Sequence, residues 1–165
     1  SWARYLPGKV GYCLDIDQNT QLRFDEDVIP LSPPWSFSIW LNRNTDTVDR
    51  VVLMTDSDTN VRLEDDEGDG KVSVRVAGVS HTFNYTMPIR VWKNLVFTCN
   101  GSEVSLYVDS VWNSKVNISM DLPCDSIIRG HGSGRMDGAF DELYIWQRVI
   151  TRSEISELYN VGENL

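Results

Sequence analysis

Two kinds of chemistry are within reach of this chain's side chains: hard-cation binding by loop carboxylates, and sugar recognition by acids and aromatic rings. Asp56-Ser-Asp-Thr-Asn places two carboxylates and an amide at alternate positions after the apolar stretch Val51–Thr55. Calcium takes such oxygens from loops, so Asp56 and Asp58 are candidate ligands, with plain solvated turn carboxylates as the competing reading. Glycoside hydrolysis asks for two facing carboxyls, about 5–5.5 Å apart in a retaining enzyme. Asp15 and Asp17 alternate on one strand, but they flank the inward Leu14 and Ile16 and so face solvent. Asp141 and Glu142 are adjacent, which in a regular strand puts them on opposite faces. No Gly-x-Ser-x-Gly elbow accompanies the histidines His81 and His131, and lone histidines of this kind are usually surface or hydrogen-bonded residues. Catalysis is not expected. Trp112, beside the turn at Asp109-Ser110, is the candidate for stacking on a sugar; Trp40, Trp92 and Trp146 fall in buried strand patterns and read as core.

Bulk properties narrow the partners. A chain of 165 residues supports one domain with a real core, spanning 1–165. Its net charge of -9 repels nucleic acid and anionic membranes. No apolar run reaches membrane-spanning length, and the start at Ser1 reads as a mature or excised segment. The acidic run Glu64–Asp69 reads as a solvated hairpin tip. Asn84-Tyr-Thr, Asn100-Gly-Ser and Asn117-Ile-Ser are glycosylation sequons and point to a secreted protein or the extracellular part of a membrane protein. Cys13, Cys99 and Cys124 make an odd count, so an oxidising compartment leaves one pair and one spare thiol. Spacing does not say which two pair; Cys99 with Cys124 is favoured because a loop-flanked Cys124 can reach the end of the strand that holds Cys99. With no Cys-x-x-Cys or Cys/His cluster, zinc is not expected.

Strands must position these groups. After a loose start, Tyr12–Asp17 alternates, and Gln21–Phe24 follows across a turn. Trp35–Asn42 alternates strictly at Phe37, Ile39 and Leu41. Val51–Thr55, Val61–Glu64, Lys71–Val76, His81–Tyr85, Val91–Cys99, Val104–Asp109 and Val111–Val116 continue the series, and Ile127-Ile128 leads towards the end. Phe140–Trp146 reads as a strand in the middle of a sheet, its aromatics in the core. Thr151 and Glu154 then form a capping box, with Ile150 stapled onto Ile155. Ile155, Leu158 and Tyr159 are one face of a short helix ending near Gly162. The fold class is all-β: a two-sheet antiparallel sandwich with one short C-terminal helix.

Four stretches in order carry a family resemblance. Gly8-Lys-Val-Gly-Tyr-Cys-Leu-Asp-Ile-Asp, Trp35–Asn42, the hairpin Trp92–Asp109 and Gly138–Ile155 together resemble the laminin G and pentraxin group of concanavalin A-like jelly rolls. Ser110 stands where that hairpin usually has Gly. The resemblance implies a jelly-roll topology and a rim calcium site in which Asp56 or Asp58 is joined by Asp121 or Asp125. The pentraxin double-calcium site is not implied, because Arg129–Arg135 is too short for its acidic loop.

An extracellular, non-catalytic recognition or adhesion module is therefore expected, binding a protein or glycan at a cell surface or in matrix, with calcium as the one candidate cofactor. The alternative is a carbohydrate-binding accessory module of a secreted glycosidase. Titrating calcium while following thermal melting tests the rim site: Tm should rise by millimolar calcium, and an unmoved Tm would sink it.

Overall fold

Strict alternation in Trp35–Leu41 sends Phe37, Ile39 and Leu41 into the interior, where all three are fully buried. The computed structural model describes residues 4–16, 22–23, 30–44, 51–54, 58–63, 70–127 and 137–163. Its strands are β1 (Arg4–Pro7), β2 (Tyr12–Ile16), β3 (Leu22–Arg23), β4 (Trp35–Arg43), β5 (Val51–Met54), β6 (Asn60–Arg62) and β7 (Lys71–Val76). They continue with β8 (Val79–Thr86), β9 (Lys93–Cys99), β10 (Val104–Val108), β11 (Val111–Val116), β12 (Ser126–Ile127) and β13 (Gly138–Trp146), before the helix α1 (Arg152–Glu163). A seven-stranded sheet runs β1-β2-β13-β4-β9-β10-β11, and a six-stranded sheet runs β3-β12-β5-β6-β7-β8. Pairing between these strands is antiparallel throughout. This is the two-sheet sandwich with a C-terminal helix that the alternation implies, and it is consistent with the jelly roll that the resemblance implies.

The two sheets meet across aromatic contacts. Phe37 and Phe97 stack at 5.8 Å within one sheet, and Phe83 of the other meets Phe97 edge-on, also at 5.8 Å. Edge-to-face and offset pairs of this kind favour a fixed packing beyond the area they bury. Leu95, Val61, Val72, Val74 and Leu106 fill the space around them. Trp35 is wholly buried, and its indole N–H donates to the Met120 carbonyl at 2.8 Å, so its one polar group is satisfied.

The outer face of the seven-stranded sheet is covered by α1. Ile150 and Ile155 pack on Val96 of β9, with Tyr107, Trp146 and Leu158 around them. Ser36 fixes the approach: its hydroxyl donates to the Arg148 carbonyl at 2.7 Å and accepts from Ile150 N at 3.0 Å. The capping box forms as expected. Glu154 N donates to Thr151 Oγ1 at 3.3 Å, and Thr151 N donates back to the Glu154 carboxylate at 2.7 Å. At the far end Tyr159 stacks on Trp40 at 5.6 Å. Gly162 is required there, since a Cβ would lie 2.5 Å from the Trp40 ring.

Several expectations need correction. The segment Arg4–Pro7 is not loose: as β1 it pairs with β2, from Arg4 with Asp15 to Pro7 with Tyr12. The favoured Cys99–Cys124 disulfide is not formed. All three cysteines are free and buried; Cys99 and Cys124 both pack in the main core, and the Cys124 thiol donates to the Leu122 carbonyl at 3.4 Å. Burial raises the Cys124 pKa, so this thiol behaves as a small apolar group. Asp17, the run Glu64–Asp69, His131 and Asp56 lie outside the described residues.

The β10–β11 hairpin explains a departure noted above. Val108 and Val111 are register partners, so the loop is two residues, Asp109 and Ser110, with φ of 49° and 66°. A two-residue loop with both φ positive is the type I′ turn, which favours Asn or Gly. Asp109 is committed elsewhere: its carboxylate accepts Asn94 N at 3.1 Å and pairs with Lys93. Ser110 has no such bond among the described residues. Ser110→Gly should therefore stabilise the domain by about 1 kcal/mol, the scale of left-handed strain at a non-glycine residue. Thermal melting should show a rise of a few degrees; an unchanged or lower Tm would contradict the strain assignment.

Candidate functional site

The outer face of β13 carries the site, and an extra residue in that strand creates it. Asp141 is the register partner of Trp40, and Tyr144 that of Ser38. Glu142 and Leu143 thus stand opposite the single residue Ile39, the arrangement of a β-bulge. Glu142 takes a φ of 48° to make the turn. The bulge resets the alternation. Phe140, Leu143 and Ile145 pack on the interior, while Asp141, Tyr144 and Trp146 share the outer face with their register partners Trp40, Ser38 and Ser36.

Asp141 holds the bulge in place. It is 8% exposed, and its two carboxylate oxygens accept from Val10 N and Glu142 N, each at 2.9 Å. The first bond ties the β1–β2 connection to β13. Gly8 lets that connection close, because a Cβ there would fall 2.6 Å from the Asp141 carboxylate and 2.5 Å from Cys13 N. The Gly-Lys-Val-Gly stretch therefore has a steric purpose at its first glycine.

Between this strand and α1 lies a cleft of about 300 Å³. Tyr144 and Trp146 stack on each other at 5.7 Å along one side. Trp40 and Asn94 belong to the sheet side, and Glu154, Glu157 and Leu158 to the helix side. Tyr144 is 42% exposed, and its hydroxyl donates to the Glu142 carboxylate, which raises the tyrosine pKa. Glu154 is held ionised, its pKa lowered to about 2 by the Arg148 guanidinium and the Thr151 bonds of the cap. Asn94 is 1% exposed. Its amide nitrogen donates to Ser38 Oγ at 3.4 Å, while its Oδ1 has no hydrogen-bond donor among the described residues.

Against this geometry, the sequence-derived candidates scatter. Asp58 is exposed, with its carbonyl accepting Gly78 N at 3.2 Å across the β7–β8 turn. Asp121 is exposed beside Leu122, which exchanges backbone hydrogen bonds with Leu31. Asp125 is half-buried and precedes Ser126, the partner of Met54 at the end of β5. Among the described residues no three acidic, histidine or cysteine side chains converge as a metal site. Trp112 is 48% exposed on the edge strand β11. Register carries it across the outer face through Tyr107, Val96 and Ser38 to Tyr144. Four strand spacings make that about 19 Å, and α1 packs on Val96 in between. Asn84, Asn100 and Asn117 are all exposed. The Asn100 side-chain oxygen accepts Ser102 N at 2.9 Å and Glu103 N at 3.1 Å in its turn.

Two expectations about β13 fail for one reason. Tyr144 and Trp146 are not both core, and Asp141 and Glu142 are not divided between opposite faces, because the bulge changes the parity between them. The signal was present in the spacing. Phe140, Leu143 and Ile145 follow at spacings of three and then two positions, and a strand can bury all three only with one residue added.

The profile of a laminin-G-type family, described as the concanavalin A-like lectin/glucanases superfamily, matches residues 16–156. No curated protein sequence matches the chain. Among solved structures, it is similar to domain 4 of AbnA, a GH43 extracellular arabinanase from Geobacillus stearothermophilus, in complex with arabinotriose. The TM-score is 0.81 at 16% identity, over 96% of this chain and 82% of that one. The binding domain of Paraclostridial Mosquitocidal Protein 1 gives a TM-score of 0.72 at 16% identity, over 96% of this chain and 45% of that one. The CBM40 of the Ruminococcus gnavus IT-sialidase gives 0.67 at 9% identity, over 89% and 96%. These likenesses are likenesses of fold. With the family profile matched from the second strand into the closing helix, the chain belongs to the concanavalin A-like lectin/glucanases superfamily.

Proposed function

We propose that this domain is a non-catalytic recognition module of a secreted or cell-surface protein, and that it binds a glycan in the cleft between β13 and α1. The observation that carries the reading is the stacked Tyr144–Trp146 ledge facing polar acceptors across a space of about 300 Å³. A sugar ring has one face of C–H groups and a rim of hydroxyls. The aromatic ledge suits the first, and Glu142, Glu157 and Asn94 suit the second. Hydrolysis asks for a carboxyl kept protonated as general acid. Glu154 is held in the opposite state by Arg148, which favours binding over catalysis. The exposed sequons support an extracellular setting, as does likeness to a domain of an extracellular enzyme.

A second reading has its own support. AbnA domain 4 belongs to an arabinanase and covers nearly the whole of this chain, so an accessory carbohydrate-binding module beside a glycosidase fits equally well. A rim calcium ion held by Asp56 or Asp58 with Asp121 or Asp125 remains a proposal alongside either, since β12 pairs with β5 and brings Asp125 towards the end of β5.

A glycan array followed by calorimetry on its hits tests the site. Trp146→Ala and Tyr144→Ala should each weaken binding at least tenfold, about 1.4 kcal/mol. Trp112→Ala, on the far side of α1, should leave it unchanged. Tyr144 is exposed, so its variant reports on binding even if Trp146→Ala lowers stability. Silence across the array together with capture of a defined protein partner would replace the glycan reading with protein recognition.

A further inference from the structure

The charge and hydrogen-bond character of the cleft define its ligand more narrowly. Resting on the glycan reading above, we infer that the cleft selects uncharged, hydroxyl-donating saccharides and rejects saccharides that carry a carboxylate. Glu142, Glu154 and Glu157 all line it, and no lysine or arginine does among the described residues. Among the described residues, two cations that meet lining residues are already engaged. Arg148 is paired with Glu154, and Lys9 sits 4.9 Å over the Trp40 ring. Arg148 is thereby committed to a carboxylate, and Lys9 to an aromatic face.

Asn94 supplies the independent observation. Its side chain is almost wholly buried at the cleft, and its Oδ1 lacks a donor while its amide nitrogen turns to Ser38. A buried carbonyl oxygen without a partner is costly, and a donor from a ligand relieves that cost. Saccharide hydroxyls provide such donors, in neutral and carboxylated sugars alike; a carboxylate adds only acceptors and a charge of the same sign as Glu142 and Glu157. Partial enclosure between sheet and helix weakens the screening that would soften this repulsion in open solvent. The specificity is therefore negative as well as positive: fixed charges penalise the wrong ligand.

Matched pairs of oligosaccharides test this on the intact domain: lactose against sialyllactose, galactotriose against trigalacturonate, and arabinotriose as a further neutral probe. Calorimetric titration should find a neutral member that binds, with its carboxylated counterpart at least tenfold weaker. In the Glu142→Gln, Glu157→Gln double variant that gap should narrow. Asn94→Ala should weaken the neutral ligand while leaving the gap in place; if that variant folds poorly, the double variant, altered at partly exposed positions, still decides. Equal or tighter binding of the carboxylated member would overturn the inference and leave the glycan reading standing. Binding of none of these saccharides, with none found on the array, would overturn both.

Discussion

One extra residue in β13 governs how this domain presents itself. Asp141 and Tyr144 pair with Trp40 and Ser38, leaving Glu142 and Leu143 to share Ile39. Were the same sequence paired without the bulge, alternation would turn Tyr144 and Trp146 inward and expose Leu143 and Ile145. A non-glycine residue with φ of 48° is strained, and the strain is offset by the two backbone amides that Asp141 accepts. A buried carboxylate is costly unless bonded in this way. The same group thus fixes the β1–β2 connection and the geometry of the cleft, so a site at the surface depends on a carboxylate beneath it.

The helix completes what the bulge begins. Sheet faces left uncovered in a sandwich are normally polar, yet Ser36, Ser38, Trp40, Asn94 and Val96 are all buried on the outer face of the seven-stranded sheet. Covering them requires α1 to dock closely, which Gly162 permits by letting the helix backbone meet the Trp40 ring. Closure is uneven, however. On the β9 side Ile150 and Ile155 pack directly on Val96, whereas on the β13 side Tyr144 and Trp146 stand beside the helix and leave the cleft open. Apolar and polar lining meet at that seam, the combination that makes it the candidate site.

Much of this fold is legible in sequence because its signals are local. Alternation marks β4, Thr151 with Glu154 marks the helix start, and apolar positions at i, i+3 and i+4 mark the face that docks. The site is harder to read. A hydrophobic count in Phe140–Trp146 sees a buried run, whereas the deciding feature is the register against β4, a long-range property. Gly8 and Gly162 are visible as residues, but the groups they must avoid, Asp141 and Trp40, are distant in sequence. Trp112 illustrates the converse: its exposure follows from a turn beside it, yet the helix separates it from the other aromatics of that face.

The tryptophans allow the central claim to be measured in one experiment, because their surroundings differ so strongly. Trp146 borders the cleft and Trp40 its inner wall, Trp35 is sealed in the core against Met120, and Trp112 stands on the far edge strand. Indole N–H resonances should be followed by NMR while a neutral oligosaccharide that binds is titrated in. The account predicts that the Trp146 signal moves most, with a smaller change at Trp40 and none at Trp35 or Trp112. A saturating shift centred on Trp112, with Trp146 unmoved, would contradict it.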